Sequence, residues 1–417
     1  MDNVKLFGLP AEKGRWLLIP LGVTVLLCLG TVYSWSIFRK PLEKLLEIGA
    51  TESLLPFTVL LVVFAVIMPI TGFYIDRFGA RLITAVGGVI MGLGYLLSSF
   101  GGNISMLTIT YGVVAGIGVG MAYGVPLAVV ARWFPDKKGL AVGLTVIGFG
   151  LSPLVTAPLA KSLIDSYGVR QTFLILGIAF AAIIVVASTF LGTPPKGWKP
   201  AGWNPPVKVT DSANQSVSML QTPTFYGLWL CYAIGTFAGL AAIGISSPLA
   251  QEIIKLDAAT AASTVSLFAV FNGAGRAFFG WLTDRLTPKF AAIVAFVMVL
   301  IASIMMLNVG TGDVATYLVA FTLFYFSFGG WLAIAPTSTL SLFNPEDYAK
   351  NYGIVFTAFG VGALGGTLLA GRIRDIFGSY TNFFYPTAGM AILGIILSVF
   401  MLKRSPVVGD AEIGTRI

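Results

Sequence analysis

The chain has 417 residues, 56% of them hydrophobic and 11% charged, with a mean hydropathy of +0.88. Soluble domains carry roughly 25% charge, so a water-facing surface cannot be built here, and a soluble enzyme, a nucleic-acid binder and a disordered chain are excluded. Formal charge is +8, and there is no His, which removes histidine acid/base chemistry, His metal ligands and a Ser-His-Asp triad.

Only two cysteines occur, Cys28 and Cys231, both in apolar runs, so neither a disulfide framework nor a metal site is expected. No cofactor is expected either. No catalytic dyad is visible, and the chain is not read as an enzyme.

A bilayer-crossing helix needs about 20 apolar residues. Behind a basic leader, Lys5 to Arg15, the first uncharged run is 16–38. It is too long for a signal-peptide core and lacks a small-residue cleavage site, so it is taken as helix 1. Run 53–75 is helix 2. Run 82–131 is broken by the polar stretch SSFGGNIS near Ser98–Ser105 and supplies helices 3 and 4. Runs 139–160 and 171–195 are helices 5 and 6. Helix 7 starts near Thr224 and ends by 251, and helix 8 covers 258–283 with one internal charge, Arg276. Runs 290–312, 314–345, 351–371 and 376–402 complete a set of twelve. Continuous apolarity, without the alternation of barrel strands, selects helices.

Lys and Arg fix the orientation. With the N-terminus in the cytoplasm, seventeen lie inside. Eight lie outside: Arg39, Lys40, Lys44, Lys161, Arg170, Lys255, Arg372 and Arg374. Both termini are therefore expected in the cytoplasm. The charge bias, with no targeting extension, fits a bacterial-type inner (plasma) membrane.

Segment 193–223 holds six prolines and reads as a cytoplasmic linker between residues 1–192 and 224–417. The flanking halves match. GFYIDRFGAR at 72–81 repeats as GWLTDRLTPK at 280–289, LIDSYG at 163–168 as IRDIFG at 373–378, and Pro126 as Pro336. Two six-helix halves rocking about a midplane site is a carrier arrangement.

Two copies of G-x-x-x-D-R, each after the second helix of its half, resemble the loop signature of the major facilitator superfamily, and the resemblance spans the chain. GTVYSWSIF at 30–38, RWFPDKKGLAVGL at 132–144 and TPPKGWKPAGW at 193–203 resemble the oxalate/formate antiporter branch, which is similar to the monocarboxylate (lactate/pyruvate) transporters. The implied fold is an all-α membrane protein of twelve transmembrane helices in two pseudo-symmetric six-helix bundles.

The loop motif places Gly72, Asp76, Arg77, Arg81, Asp284 and Arg285 at helix ends as gating candidates. A carboxylate there can face a helix N-terminus and an Arg on the neighbouring bundle, and Gly72 and Gly79 permit close backbone approach. Solvated charges that only fix topology are the competing reading. Thr287 replaces Gly79 in the second copy, which weakens that clasp.

Arg276 lies seven residues before Thr283, inside the hydrocarbon. A central Arg costs about 2.5–3.5 kcal/mol to insert, so a partner is expected, and no Asp or Glu lies in any span. An imported carboxylate fits a guanidinium. Snorkelling or a backbone carbonyl is the alternative. Asn272, one turn earlier on the same face, either orients Arg276 or bonds substrate, or serves as helix–helix glue. The monocarboxylate transporters commonly have a carboxylate at this position. Asn there puts a proton-carrying role in doubt.

Tyr123, Tyr33, Trp331 and Phe359 are candidate cavity walls, with packing as the alternative. The oxalate branch carries a Lys in helix 11, whereas YGIVFTAFGVGALGG here has none. One cation suits one carboxylate. The expected function is secondary active transport of a small monocarboxylate such as lactate or pyruvate by alternating access. Proton-coupled symport is what the family resemblance implies. Oxalate/formate-type exchange is the alternative. Expected partners are the anion, a proton and the lipid bilayer, without nucleic acid.

Overall fold

The computed structural model describes residues 4–195, 197–203, 219–343 and 348–402. Most of the segment between the halves, 204–218, and the C-terminal Lys403, Arg404 and Arg416 lie outside the described residues, and so do the topology expectations that rest on them. Among the described residues twelve long helices follow in order: α1 (Ala11–Leu46), α2 (Ala50–Phe78), α3 (Ala80–Ser98), α4 (Ile104–Trp133), α5 (138–167), α6 (169–188), α7 (Pro223–Ile254), α8 (Ala258–Arg285), α9 (Pro288–Leu307), α10 (Val314–Leu342), α11 (Tyr348–Phe377) and α12 (Thr381–Met401). The chain is a multi-pass membrane protein.

Residues 138–188 run on without a loop, yet a straight helix of that length would span about 75 Å, more than twice the roughly 30 Å hydrocarbon. Gly168, at φ 80° and ψ 167°, turns the chain back and separates α5 from α6. Gly378, at φ 71°, does the same between α11 and α12. Glu47 at the end of α1 and Lys255 at the end of α7 are likewise both left-handed, at φ 53° and 66°. Equivalent turns thus recur at the repeat spacing read from the sequence.

Helix 1 differs from its expected bounds. It begins at Ala11 and continues through Arg39, Lys40 and Lys44 to Leu46. The charges expected in a loop therefore ride on the helix, and Arg39 is fully buried. Arg15 is buried too, so three arginines, Arg15, Arg39 and Arg276, are buried among the described residues. The leader is also ordered: β1 (Lys5–Leu6) pairs with β2 (Leu9–Pro10) about Phe7 and Gly8, both at positive φ, the geometry of a type I′ hairpin. Phe7 packs on Phe190 with centroids 6.0 Å apart. Arg15 donates to both carboxylate oxygens of Asp136, at 2.5 and 2.9 Å, and to the Trp133 carbonyl.

Across the seam between the halves, α2 lies along α11 and α5 along α8. Small residues make this possible: a Cβ on Gly360 would stand 2.9 Å from Ala65, and one on Gly273 3.0 Å from Leu151. The end of the bundle where α1 starts and α12 stops is the near end, and the opposite end is the far end.

Candidate functional site

Arg276 sits on α8, a helix started by Asp257, whose carboxylate accepts from the Ala259 and Thr260 N–H groups. Its side chain is 5% exposed. Nη1 donates to the Val146 carbonyl of α5 at 3.1 Å, and Nε and Nη2 each reach Oδ1 of Asn272 at 3.4 Å. All these acceptors are neutral. Among the described residues no carboxylate pairs with Arg276, and Asp284 is exposed at the helix end. The charge is therefore held in place without being compensated. Asn272 is oriented in turn, since its amide nitrogen donates to the Tyr325 carbonyl at 3.3 Å, leaving Oδ1 to face the guanidinium.

The site is built across both halves. Gly150 of α5 lies under the Arg276–Asn272 pair, where a Cβ would stand 2.5 Å from Asn272 Oδ1 and 3.0 Å from Arg276 Nε. Neither Gly150 nor Val146 was singled out from the sequence. The available signal was the small-residue run IGFGLSP.

Tyr33 and Tyr123 both come close enough for their hydroxyls to interact with Arg276. Tyr33 is presented by a 3₁₀ turn, Gly30–Ser34, inside α1. Its ring meets Phe149 edge-on at 5.0 Å and Phe328 at 5.6 Å. Tyr123 meets Phe64 and Phe149, each at 5.0 Å. Phe359 joins this wall through Phe64 at 5.6 Å, Phe356 at 5.1 Å and Phe328 at 6.4 Å. Sequence reading missed Phe64, Phe149, Phe328 and Phe356, which are indistinguishable from other phenylalanines in apolar runs.

Trp331 is placed elsewhere. It packs within the second half, against Gly235, where a Cβ would stand 2.2 Å from its ring, and against Phe296 at 5.0 Å. Its indole Nε1 is buried with no acceptor among the described residues.

At the near end, Asp76 pairs with Arg132 at 2.5 Å. Arg132 belongs to α4 of the same half, so the clasp does not reach the neighbouring bundle in this conformation. Arg77 lies over Phe78, and Arg81 reaches the end of α6 near Gly192. A Cβ on Gly72 would meet nothing within 4 Å. The close approach expected at Gly72 is absent, although a Cβ on Gly353 of the other half would stand 3.0 Å from Pro69. Gly79 serves instead as a turn, at φ 82°. Thr287 manages the equivalent turn by capping α9 through the Phe290 N–H at 3.1 Å. Asp284 and Arg285 are exposed.

The far end is sealed. Arg39 donates to the Gly244 carbonyl at 3.1 Å and the Tyr380 hydroxyl at 2.8 Å, both in the other half, while holding Glu43, Ser53 and the Ala50 carbonyl in its own. Lys40 pairs with Glu252 across the seam, and Arg374 pairs with Glu252 at 2.7 Å. Sequence reading treated these as separate loop charges. For Arg39 a signal was its spacing of one helical turn from Glu43; the pairing of Glu252 with Lys40 and Arg374 had none. Asp257, the acid at the start of α8, is held below the usual carboxylate range, chiefly by the Thr260 hydroxyl, which works against proton uptake there.

The described residues contain no cluster of metal-ligating side chains. Comparison with known proteins gives a match to the Major Facilitator Superfamily family model over residues 20–342 and 228–416. The chain is 29% identical to the oxalate:formate antiporter of Oxalobacter formigenes, over 94% of this chain and 92% of that one. It is 27% identical to monocarboxylate transporter 13 of Bos taurus, over 76% of this chain and 72% of that one. Among solved structures it is similar to a bacterial homolog of the human lysosomal transporter Spinster, with a TM-score of 0.68, 15% identity, and coverage of 94% of this chain and 96% of the other.

Proposed function

The chain belongs to the Major Facilitator Superfamily, and from that premise we propose that it is a secondary carrier of a small monocarboxylate such as lactate or pyruvate. The observation that carries this reading is Arg276, buried and hydrogen-bonded to neutral acceptors only. A guanidinium in a low-dielectric site costs several kcal/mol unless an anion joins it. A substrate carboxylate supplies that anion, with the Tyr33 and Tyr123 hydroxyls beside it. The names of the relatives, an oxalate:formate antiporter and a monocarboxylate transporter, agree with a small organic anion.

The choice of monocarboxylate rests on charge. Phe359 of α11 fills the wall facing Phe64 and Phe328, and the cationic residues of α11 stand at its ends, Lys350, Arg372 and Arg374. One central cation matches one carboxylate. The aromatic cage suits a short apolar tail.

In the mechanism, the anion neutralises Arg276, and the loaded site allows the two halves to rock about it. Placing the near end in the cytoplasm of a cell bounded by an inner membrane puts the gate at Arg39, Lys40 and Glu252, shut in this conformation, on the outer side. Asp76, Arg77, Arg81, Asp284 and Arg285 then form the near-end clasp in the alternate conformation, Asp76 giving up Arg132 to do so. Coupling to a proton is the preferred reading, with the substrate carboxyl itself or a water beside Arg276 as the proton route. Anion exchange is the second reading, favoured by the name of the Oxalobacter relative.

The deciding experiment uses purified carrier in liposomes. Labelled lactate uptake is measured with an imposed pH gradient and competed with formate, acetate, pyruvate and oxalate. Accumulation that rises with an inward proton gradient, and is blocked by monocarboxylates, supports symport. Uptake that requires internal anion and ignores the gradient supports exchange. Indifference to every carboxylate defeats both.

A further inference from the structure

The far end is not closed in the same way on its two sides. Glu47 and Lys255, both left-handed, set the register between the repeats. In that register Gly49 stands where the second half has Asp257. Asp257 caps its own helix α8 from within, accepting two N–H groups at 2.9 Å. Gly49 has no side chain with which to cap α2. The acceptor comes instead from the other half: the Asp375 carboxylate, near the end of α11, receives the Ala50 N–H at 2.8 Å and the Thr51 N–H at 2.9 Å. A Cβ on Gly49 would stand 3.1 Å from Asp375 Oδ1, so the missing side chain also makes room for the visiting carboxylate.

The repeat counterpart of Asp375 is Asp165, near the end of α5. It turns back onto Lys161 of its own helix. Between it and α8 lies a cleft of about 320 Å³ lined by Lys161, Asp165, Ser166, Ala259 and Ser263. One cap is thus made across the seam, and its counterpart is made in place. Arg374, the residue beside Asp375, holds Glu252 at 2.7 Å, and Lys40 of the first half joins the same Glu252. The end of α11 therefore carries two links on one side of the seam.

We infer that Asp375 is a gating residue of the carrier, latching the far end shut by capping α2 from the opposite half. Each opening of the far end strips α2 of this cap, whereas α8 keeps its own throughout. The unmatched cost biases the empty carrier toward the conformation described here. The inference rests on the alternating-access reading, but its readout needs no substrate and so fails or survives separately from the substrate assignment.

The test places nitroxide labels at Leu45→Cys and Tyr385→Cys, exposed positions on opposite halves at the far end. The background lacks Cys28 and Cys231. Interlabel distances are read by pulsed electron paramagnetic resonance in liposomes without substrate. Asp375→Ala should raise the ratio of far-end-open to far-end-closed carrier about fivefold, the size of one lost helix cap. Asp375→Asn, which keeps one acceptor oxygen, should shift it less. Gly49→Asp added to Asp375→Ala gives α2 a cap of its own. Thermal stability should then recover while the distance distribution stays shifted. An unchanged distribution in Asp375→Ala overturns the latch. So does a return to the wild-type distribution in the double variant, which would leave Asp375 a helix stabiliser only.

Discussion

Gly150 and Arg276 lie in contact across the seam, with the backbone of α5 against the guanidinium of α8 and no room for a methyl group between them. A side chain at 150 must displace either Asn272 Oδ1 or Arg276 Nε. Gly150→Ala is therefore expected to insert and fold but to weaken substrate affinity by about tenfold, since misplacing one charge-assisted pair is worth roughly 1.5–3 kcal/mol at most. Concentration dependence of uptake, measured beside Gly139→Ala, where nothing lies within 4 Å, checks this. Equal affinity in both variants would remove the packing role.

Arg276→Ala should abolish uptake with the protein still inserted, because the anion then has no counter-charge. Arg276→Lys keeps the charge but loses the planar fork that holds Val146 and Asn272 together, and a rise in KM is expected. Wild-type uptake by the Ala variant would end the anion-site reading.

Phe359→Lys is expected to change specificity rather than simply lower activity. The new ammonium would enter a wall shared by Phe64 and Phe328 and give the site two cations. Oxalate should then compete with labelled monocarboxylate about tenfold better than against wild type, by the strength of one further charge-assisted contact. Unchanged oxalate competition in a folded variant would show that position 359 does not face the substrate.

Asp136 supplies a pH prediction. Its hydrogen bonds from Arg15 hold its carboxyl below the usual range. The folded state thus favours the ionised form. That contribution is complete above the ordinary aspartate value of about 3.9 and disappears as pH falls through the lowered folded value. Acidification should therefore release the N-terminal hairpin, seen as protease access at Lys5 or Lys13. In Asp136→Asn the hairpin should be accessible at neutral pH, with little further change on acidification.

Helix count and positions were legible because in lipid each span must be apolar and internally hydrogen-bonded, so charges mark the gaps. Arg276 was legible for the same reason: a charge inside a span stands out against its neighbours. What the sequence hid was charge that is buried while lying near a gap. Arg39 sits where a loop charge belongs, yet α1 continues past it and folds it against Gly244 and Tyr380, partners about 200 and 340 residues away in the chain. The aromatic wall was hidden differently. Periodicity separates lipid-facing from protein-facing sides poorly when both are apolar, so Tyr123 and Phe359 looked no different from Trp331, which packs elsewhere.

The 3₁₀ turn at Gly30–Ser34 ties two events in α1 together. At three residues per turn instead of 3.6, its five residues wind about 100° further than an α-helix would. Everything beyond it is therefore out of phase by roughly one residue. That phase shift points Tyr33 at Arg276 and Arg39 at the opposite half. Relaxing the turn would swing both side chains away at once, and Gly30, whose Cβ would stand 2.4 Å from the Phe149 carbonyl, is what lets the turn pack against α5. One rod would then report the state of the binding chamber to the seal several turns away, by torsion alone.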